Sequence, residues 1–97
     1  MPKGYWIAPY HTVSDPGVLA QYAEAATSVL LAFGARFLAR GMPTATYEGG
    51  AAQRCVIIEF PSVDQAIAAY ESPAYQTVLA MMRESVKREV RIIPGVE

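Results

Sequence analysis

The sequence holds a single cysteine among its 97 residues. Cys55 sits in an apolar run, so an internal disulfide, a CxxC motif and a zinc-binding cysteine cluster are all excluded. Long hydrophobic segments are also missing, because runs such as residues 29–33 fall far short of the ~20 residues that span a bilayer. The start of the chain lacks the apolar stretch of a signal peptide. We therefore expect a cytoplasmic protein with no membrane partner.

The sequence also lacks an excess of charge of either sign. Eight Lys and Arg residues stand against nine Asp and Glu residues, which gives a net charge of −1 and leaves no basic stripe. A protein that neutralises nucleic-acid phosphates needs such a stripe, so we expect no nucleic-acid partner. The sequence also contains no phosphate-binding loop and no metal-ligand spacing. Neither a metal nor any other cofactor is expected.

Apolar side chains, by contrast, are present in excess, since 53% of the residues are hydrophobic and only 18% are charged. A chain of this length buries roughly 65% of the surface that its unfolded form exposes, so it cannot hide all of them. Some apolar surface should therefore be covered by another chain. We expect a homodimer.

Periodicity along the chain predicts four strands and two helices. The strands cover residues 4–12, 35–40, 54–60 and 88–93. The first helix begins at Ser14-Asp15-Pro16 and ends at Gly34, and the second begins at Ser62 and restarts at Ser72-Pro73. This β-α-β-β-α-β order predicts one ferredoxin-like α+β domain over residues 1–97, a four-stranded antiparallel sheet with two helices on one face.

Two segments fit this plan less simply. Pro9 falls in a strand that the topology places at the centre of the sheet, so we expect a bulge or an early strand end there. The connection over residues 41–53 is long for so small a domain, and Thr44–Glu48 is a candidate for a short strand within it.

Alternation along the strands separates two faces of the predicted sheet. The face expected to pack on the helices is purely apolar: Trp6, Ala8, Tyr10, Phe37, Ala39, Val56, Ile58 and Phe60. The other face combines apolar residues such as Ile7, Leu38 and Ile57 with charged ones. That mixture is too apolar for open water and too charged for a sealed core. It suits a partly enclosed cavity covered by a second copy of the same face.

Arg40 and Glu59 are the first candidates for a binding site, because alternation places both on this mixed face of neighbouring strands. They could anchor an acidic or enolic ligand, with Glu59 as a base or an orienting group. The alternative is a structural ion pair that satisfies two half-buried charges.

His11 and Glu48 complete the candidate set. His11 is the only histidine in the sequence, and histidine is the side chain that ordinarily titrates near neutral pH. It is either a proton acceptor at the cavity rim or a polar residue that meets water at a strand end. Glu48, together with Tyr47, either closes over the cavity or merely finishes a turn.

Four motifs occur in the order that a known family uses: Gly4–Ile7, Arg36–Gly41, Ile57–Ser62 and Tyr70–Gln76. They resemble domain-of-unknown-function family 1330, and the resemblance spans nearly the whole chain. It implies a dimeric α/β barrel, a superfamily that includes cofactor-free monooxygenases, muconolactone isomerases and haem-binding chlorite dismutases. No activity is assigned to the family itself.

The leading hypothesis is a homodimer that binds a small organic metabolite in a cleft between the sheet and the partner chain. The alternative is a cofactor-independent monooxygenase or isomerase acting on an enolisable or aromatic substrate. A third possibility is a purely structural dimer, in which the polar residues of the cavity only pair with one another.

Overall fold

The strands and helices alternate much as the sequence predicts. The structure, a computed structural model, describes residues 2–96. Its elements are β1 (Gly4–Val13), α1 (Pro16–Ala32), β2 (Arg36–Gly41), β3 (Cys55–Phe60), α2 (Val63–Glu71), α3 (Pro73–Leu79), a 3₁₀ turn (Ala80–Met82), β4 (Val86–Arg88) and β5 (Arg91–Pro94). Residues 44–48 form neither a strand nor a helix, so the expectation of a short strand there is wrong.

Side-chain caps set the helix boundaries. Asp15 accepts hydrogen bonds from the first free amides of α1, and Gly34 follows the end of that helix with a φ of 87°. Ser72 ends α2 and also begins α3, because its ψ of 144° leaves the helical region and its side chain accepts from the amide of Tyr75. The residue before a proline avoids helical geometry, and Pro73 therefore enforces this break. The predicted interruption of the second helix is confirmed.

The sheet is antiparallel, with strand order β2-β3-β1-β4 and β5 also paired to β1. β1, the strand that contains Pro9, therefore lies in the centre as expected, and β3 is the other central strand. The sheet has five strands rather than four, because the predicted last strand is split at Glu89 and Val90. Pro9 lies opposite this split, where the amide of Glu89 donates to the carbonyl of Pro9. Proline has no amide to donate in return, which accounts for the interrupted ladder.

The irregularity expected at Pro9 is thus located in the neighbouring strand and slightly further along β1. A shift of register lies between Tyr10 and Thr12 in the pairing of β1 with β4. β1 itself continues to Val13, so the expectation of an early strand end is wrong.

A bulge in β2 changes which face each of its side chains occupies. Phe37 pairs with Ile58, but Ala39 pairs with Ile57, so that Leu38 is an extra residue in the strand. The alternation is therefore inverted beyond Leu38. As a result Arg40 lies on the helix side of the sheet rather than on the open face.

All three helices cover the same face of the sheet, and the core lies between these two layers. It contains the buried residues Trp6, Ala8, Tyr10, Tyr22, Ala26, Leu30, Ala35, Val56, Ile58, Phe60, Ala66, Ala69, Tyr75, Met82 and Val86. The opposite face of the sheet is covered by no element of residues 2–96. None of the described helices is long and apolar enough to cross a membrane.

Candidate functional site

A cavity lies between α1 and the sheet, on the helix side. Its empty volume is about 350 Å³ including the part open to solvent, of which about 30 Å³ can hold the centres of water molecules. The lining residues are Trp6, Ala8, Tyr10, Tyr22, Ala23, Ala26, Thr27, Leu30, Phe37, Arg40, Arg54, Val56, Ile58 and Arg88. Most of them are apolar, and three are arginines.

The strand register brings the three arginines together. Tyr10 of β1 lies between two of them. On one side it pairs with Arg88 at the end of β4, and on the other its amide donates to the carbonyl of Arg54. Arg40 follows in the next row, opposite Val56. The guanidinium groups of Arg54 and Arg88 lie 5.7 Å and 5.6 Å from the centre of the Tyr10 ring. Tyr10 is thus flanked by two cations.

Arg88 is held by two tyrosines that come from different helices. Its Nη2 donates to the hydroxyl of Tyr22 at 3.1 Å and to that of Tyr75 at 2.6 Å. The two hydroxyls also bond to each other at 2.5 Å. These contacts join α1, α3 and β4 around one buried polar cluster. Because each member orients the next, the guanidinium group has little freedom to move.

The protonation states of this cluster follow from burial and charge. Burial raises the pKa of Tyr22 well above its ordinary value, and burial likewise raises that of Tyr75. Both hydroxyls therefore stay neutral near physiological pH. Burial also acts to lower the pKa of Arg88, but the three neighbouring tyrosines raise it, and the net direction is upward. Arg88 consequently remains a cation.

Two buried donors in the lining have no partner among the described residues. They are the indole Nε1 of Trp6 and the Nε of Arg54. Trp6 is only 1% exposed, so its indole cannot reach bulk water. An unpaired buried donor costs about 1–3 kcal/mol, and such groups are rare in folded proteins. Both donors belong to residues of the same cavity, which indicates a place for an acceptor from outside the chain.

The four residues singled out in the sequence are not brought together. Arg40 lines the cavity, where its Nη1 donates to Thr27 at 3.2 Å and its guanidinium group lies over the ring of Phe37. His11 is exposed, and its Nε2 lies 2.9 Å from a carboxylate oxygen of Glu89. Glu48 is an exposed loop residue with a φ of 57°.

Glu59 lies on the open face of the sheet, opposite Arg36 and Tyr5. It accepts hydrogen bonds from Lys3 at 3.2 Å and from the hydroxyl of Tyr5 at 3.1 Å. The expectation that Arg40 and Glu59 share a face is wrong, because the bulge at Leu38 turns Arg40 to the other side.

The sequence interpretation missed the other cavity residues. Its candidate set does not contain Tyr22, Tyr75 or Arg88, which form the buried polar cluster at the cavity wall. A signal was present, since Arg54 is in phase with Val56 and Ile58, and alternation therefore placed a cation on the helix side. No such signal existed for Arg40, whose position depends on the bulge.

The open face of the sheet is apolar at its centre and charged around it. Tyr5 lies between Glu59 and Ile93, and in the next row Ile7 lies between Ile57 and Arg91. Leu38 and Ile93 remain 46% and 47% exposed.

Comparison with known proteins gives the family. The sequence matches the family described as Domain of unknown function (DUF1330) over residues 3–96. The chain belongs to this family. No curated protein matches the sequence of this DUF1330 chain.

Several solved structures resemble the DUF1330 chain in fold. A hydroxynitrile lyase from Passiflora edulis has a TM-score of 0.75 at 12% identity, with 99% of this chain and 95% of that one covered. SnoaB, a cofactor-independent oxygenase from Streptomyces nogalater, has a TM-score of 0.68 at 10% identity, covering 100% and 96%. A dimeric ferredoxin-like protein of unknown function from Thermobifida fusca has a TM-score of 0.66 at 16% identity, covering 96% and 91%. At such low identities these likenesses establish the ferredoxin-like α+β fold alone.

Proposed function

We propose that each chain binds a small organic molecule in the cavity between α1 and the sheet, and that two chains associate through the open face. The observation that carries the binding proposal is the pair of buried donors without partners, Trp6 Nε1 and Arg54 Nε, in the lining of one cavity. A ligand that accepts from them would remove the cost of leaving them unpaired. Arg40 belongs to this site, whereas His11, Glu48 and Glu59 lie elsewhere.

Binding is better supported than the alternative of a cofactor-independent monooxygenase or isomerase. Within the part of the chain that the structure describes, residues 2–96, no His, Cys, Asp or Glu side chain lines the cavity. Proton abstraction near neutral pH ordinarily needs such a group within reach of the substrate. The names of SnoaB and the hydroxynitrile lyase keep catalysis open for this fold, but the residues of this cavity favour a binder.

A second copy of the chain is the proposed cover of the open face. The face has an apolar centre around Ile7 and Ile57 that no described element covers, and the chain is rich in apolar residues. Two-fold pairing of one self-complementary face is the commonest way in which soluble proteins assemble. The Thermobifida fusca relative is described as dimeric, which agrees with the proposal.

The sole tryptophan of the chain gives a direct test of the cavity. Because Trp6 lines it, a bound molecule should shift the indole N–H resonance of Trp6 and change its fluorescence. We expect saturable shifts, with one site per chain, when phenol, benzoate or an aromatic alcohol is titrated into the 15N-labelled protein. None of these probes contains an indole, so the signal comes from Trp6.

A matched pair of variants separates cavity binding from surface binding. Ala23→Leu adds bulk to a cavity-lining position of α1, whereas Ala25→Leu adds the same bulk to a half-buried position of α1 outside the lining. Ala23→Leu should abolish the Trp6 shifts and Ala25→Leu should retain them, with circular dichroism confirming that both variants fold. Equal binding by both variants, or no binding by the parent protein, would refute the proposal.

A further inference from the structure

We propose that the molecule bound in this cavity is an organic anion, a monocarboxylate with a short apolar or aromatic body. This inference rests on the proposed function, since it names the chemical class of ligand for the same site. It goes beyond that function by assigning separate roles to the two ends of the cavity.

The charged end carries positive charge that no acidic side chain of residues 2–96 neutralises. Arg40, Arg54 and Arg88 line the cavity, and no Asp or Glu among the described residues does. The ion pairs among the described residues are Lys3–Glu59, His11–Glu89 and Arg91–Glu89, and none involves these three arginines. Arg88 bonds only to neutral hydroxyl groups, and Arg40 to the hydroxyl of Thr27. Dipoles orient a guanidinium group but leave its charge uncompensated.

Such an arrangement is costly in an empty protein. Cations brought together in a partly buried place repel one another and lose hydration, unless an anion joins them. The Nε of Arg54 is buried with no acceptor, although a guanidinium group can hold a carboxylate through two parallel hydrogen bonds. A carboxylate would therefore supply both the missing acceptor and the missing charge.

The opposite end of the cavity is apolar. One row beyond Arg40 and two rows beyond Tyr10, the strand pairing brings Trp6, Ile58 and Phe37 side by side, and Leu30 of α1 also lines the cavity. This end is lined by hydrocarbon side chains, and the unpaired indole N–H belongs to one of its residues, Trp6. A ligand that fills both ends has a charged head and an apolar body.

The free space limits the size of this ligand. Only about 30 Å³ can hold water centres, which is room for one or two water molecules and so for a single small head group. Arg40 is exposed and makes one hydrogen bond, to Thr27 at 3.2 Å. Its side chain can therefore move aside and admit the apolar body of the ligand. Large polar molecules should be disfavoured.

Benzoate and benzamide form the probe pair, because they have the same shape and differ in charge. Binding is followed by the Trp6 indole resonance and by calorimetry, at an ionic strength held constant with sodium chloride. We expect benzoate to bind at least about tenfold more tightly than benzamide, as charge-assisted hydrogen bonds to arginine predict.

Two arginine variants localise the effect. Arg54→Met keeps an unbranched side chain but removes the charge, and it should weaken benzoate by about tenfold while leaving benzamide unchanged. Arg83→Gln removes an exposed charge outside the lining and should bind both probes as the parent does. Thermal melts identify any variant that fails to fold, and Arg40→Gln then replaces Arg54→Met in the same comparison.

The outcomes separate the two proposals. Equal binding of benzoate and benzamide at the Trp6 site would overturn the anion inference and leave the proposed function standing. Preference for benzoate that survives both Arg54→Met and Arg40→Gln would also overturn it. Absence of any Trp6 shift with either probe, and with the alcohols, would overturn both.

Discussion

The hydroxyl groups of Tyr22 and Tyr75 lie 2.5 Å apart and join α1 to α3 inside the core. Arg88 donates to both from β4, so three elements meet at one polar cluster. The cluster is part of the core and part of the cavity wall at the same time. Groups that hold the fold together therefore also orient the cation that we expect to face the ligand.

Removing one hydroxyl of this pair should destabilise the protein. In Tyr75→Phe the hydroxyl of Tyr22 keeps only Arg88, and Arg88 loses its shorter bond. We expect a loss of about 1–3 kcal/mol in the free energy of unfolding, because buried polar groups lose partners while the ring is retained. Urea unfolding followed by circular dichroism measures this loss.

Tyr47→Phe is the control, since Tyr47 is 80% exposed in the long connection. It should unfold at the parent's urea concentration. If Tyr75→Phe were as stable as Tyr47→Phe, the buried cluster would contribute nothing to the fold.

Much of the fold could be predicted because its signals are local. Asp15-Pro16, Ser62 and Ser72-Pro73 mark helix starts through capping chemistry that needs only neighbouring residues. Alternation in β1 and β3 identified the core face in the same way. The family resemblance agreed with this plan.

The candidate site could not be predicted as well, because it depends on pairing between distant strands. A single extra residue, Leu38, inverts the alternation of β2 and sends Arg40 to the helix side. Sequence periodicity does not show where such a bulge will form. The meeting of Arg88 with Tyr22 and Tyr75 likewise needs three separate elements in register.

The surroundings of Gly4 leave no room for a side chain. A Cβ built at Gly4 would lie 2.6 Å from the carbonyl oxygen of Ser62 and 2.8 Å from the Cα of Val63, and both are backbone atoms that cannot turn aside. We expect Gly4→Ala to lower the free energy of unfolding by about 1–3 kcal/mol through overpacking. Gly49→Ala is the control, because nothing lies within 4 Å of a Cβ at that position. Chemical unfolding of the pair would contradict the expectation if both variants matched the parent.

Glu59 should make stability depend on pH in the acid range. Burial raises its pKa, but hydrogen bonds from Lys3 and Tyr5 lower it more, so the net pKa lies below its ordinary value of 4.5. A depressed pKa means that the folded state favours the carboxylate, and the resulting stability is present above the ordinary pKa. It is lost as the pH falls through the depressed value.

Urea unfolding at a series of pH values tests this account. Glu59→Gln and Lys3→Met should both flatten the fall in stability below the ordinary carboxyl pKa. Lys87→Met, which changes an exposed lysine of β4, should keep the parent's slope. If the free energy of unfolding of Glu59→Gln fell with decreasing pH as steeply as that of the parent, the contacts with Lys3 and Tyr5 would not affect folding.

Placing a charge at the centre of the open face should prevent the proposed dimer. Ile57 lies in β3, next to Ile7 and Ala39 in the same row. In a two-fold interface built from this face, each substitution occurs twice, so Ile57→Lys would bury two like charges without partners. We expect the parent to sediment at micromolar concentration as a particle of twice 10.5 kDa, and Ile57→Lys to sediment as a single chain.

Leu31→Lys is the control, because Leu31 lies in α1 and is already 53% exposed, and this variant should remain a dimer. A parent protein that sediments only as a 10.5 kDa species would remove the second chain from the proposal, and the apolar open face would then need a different cover.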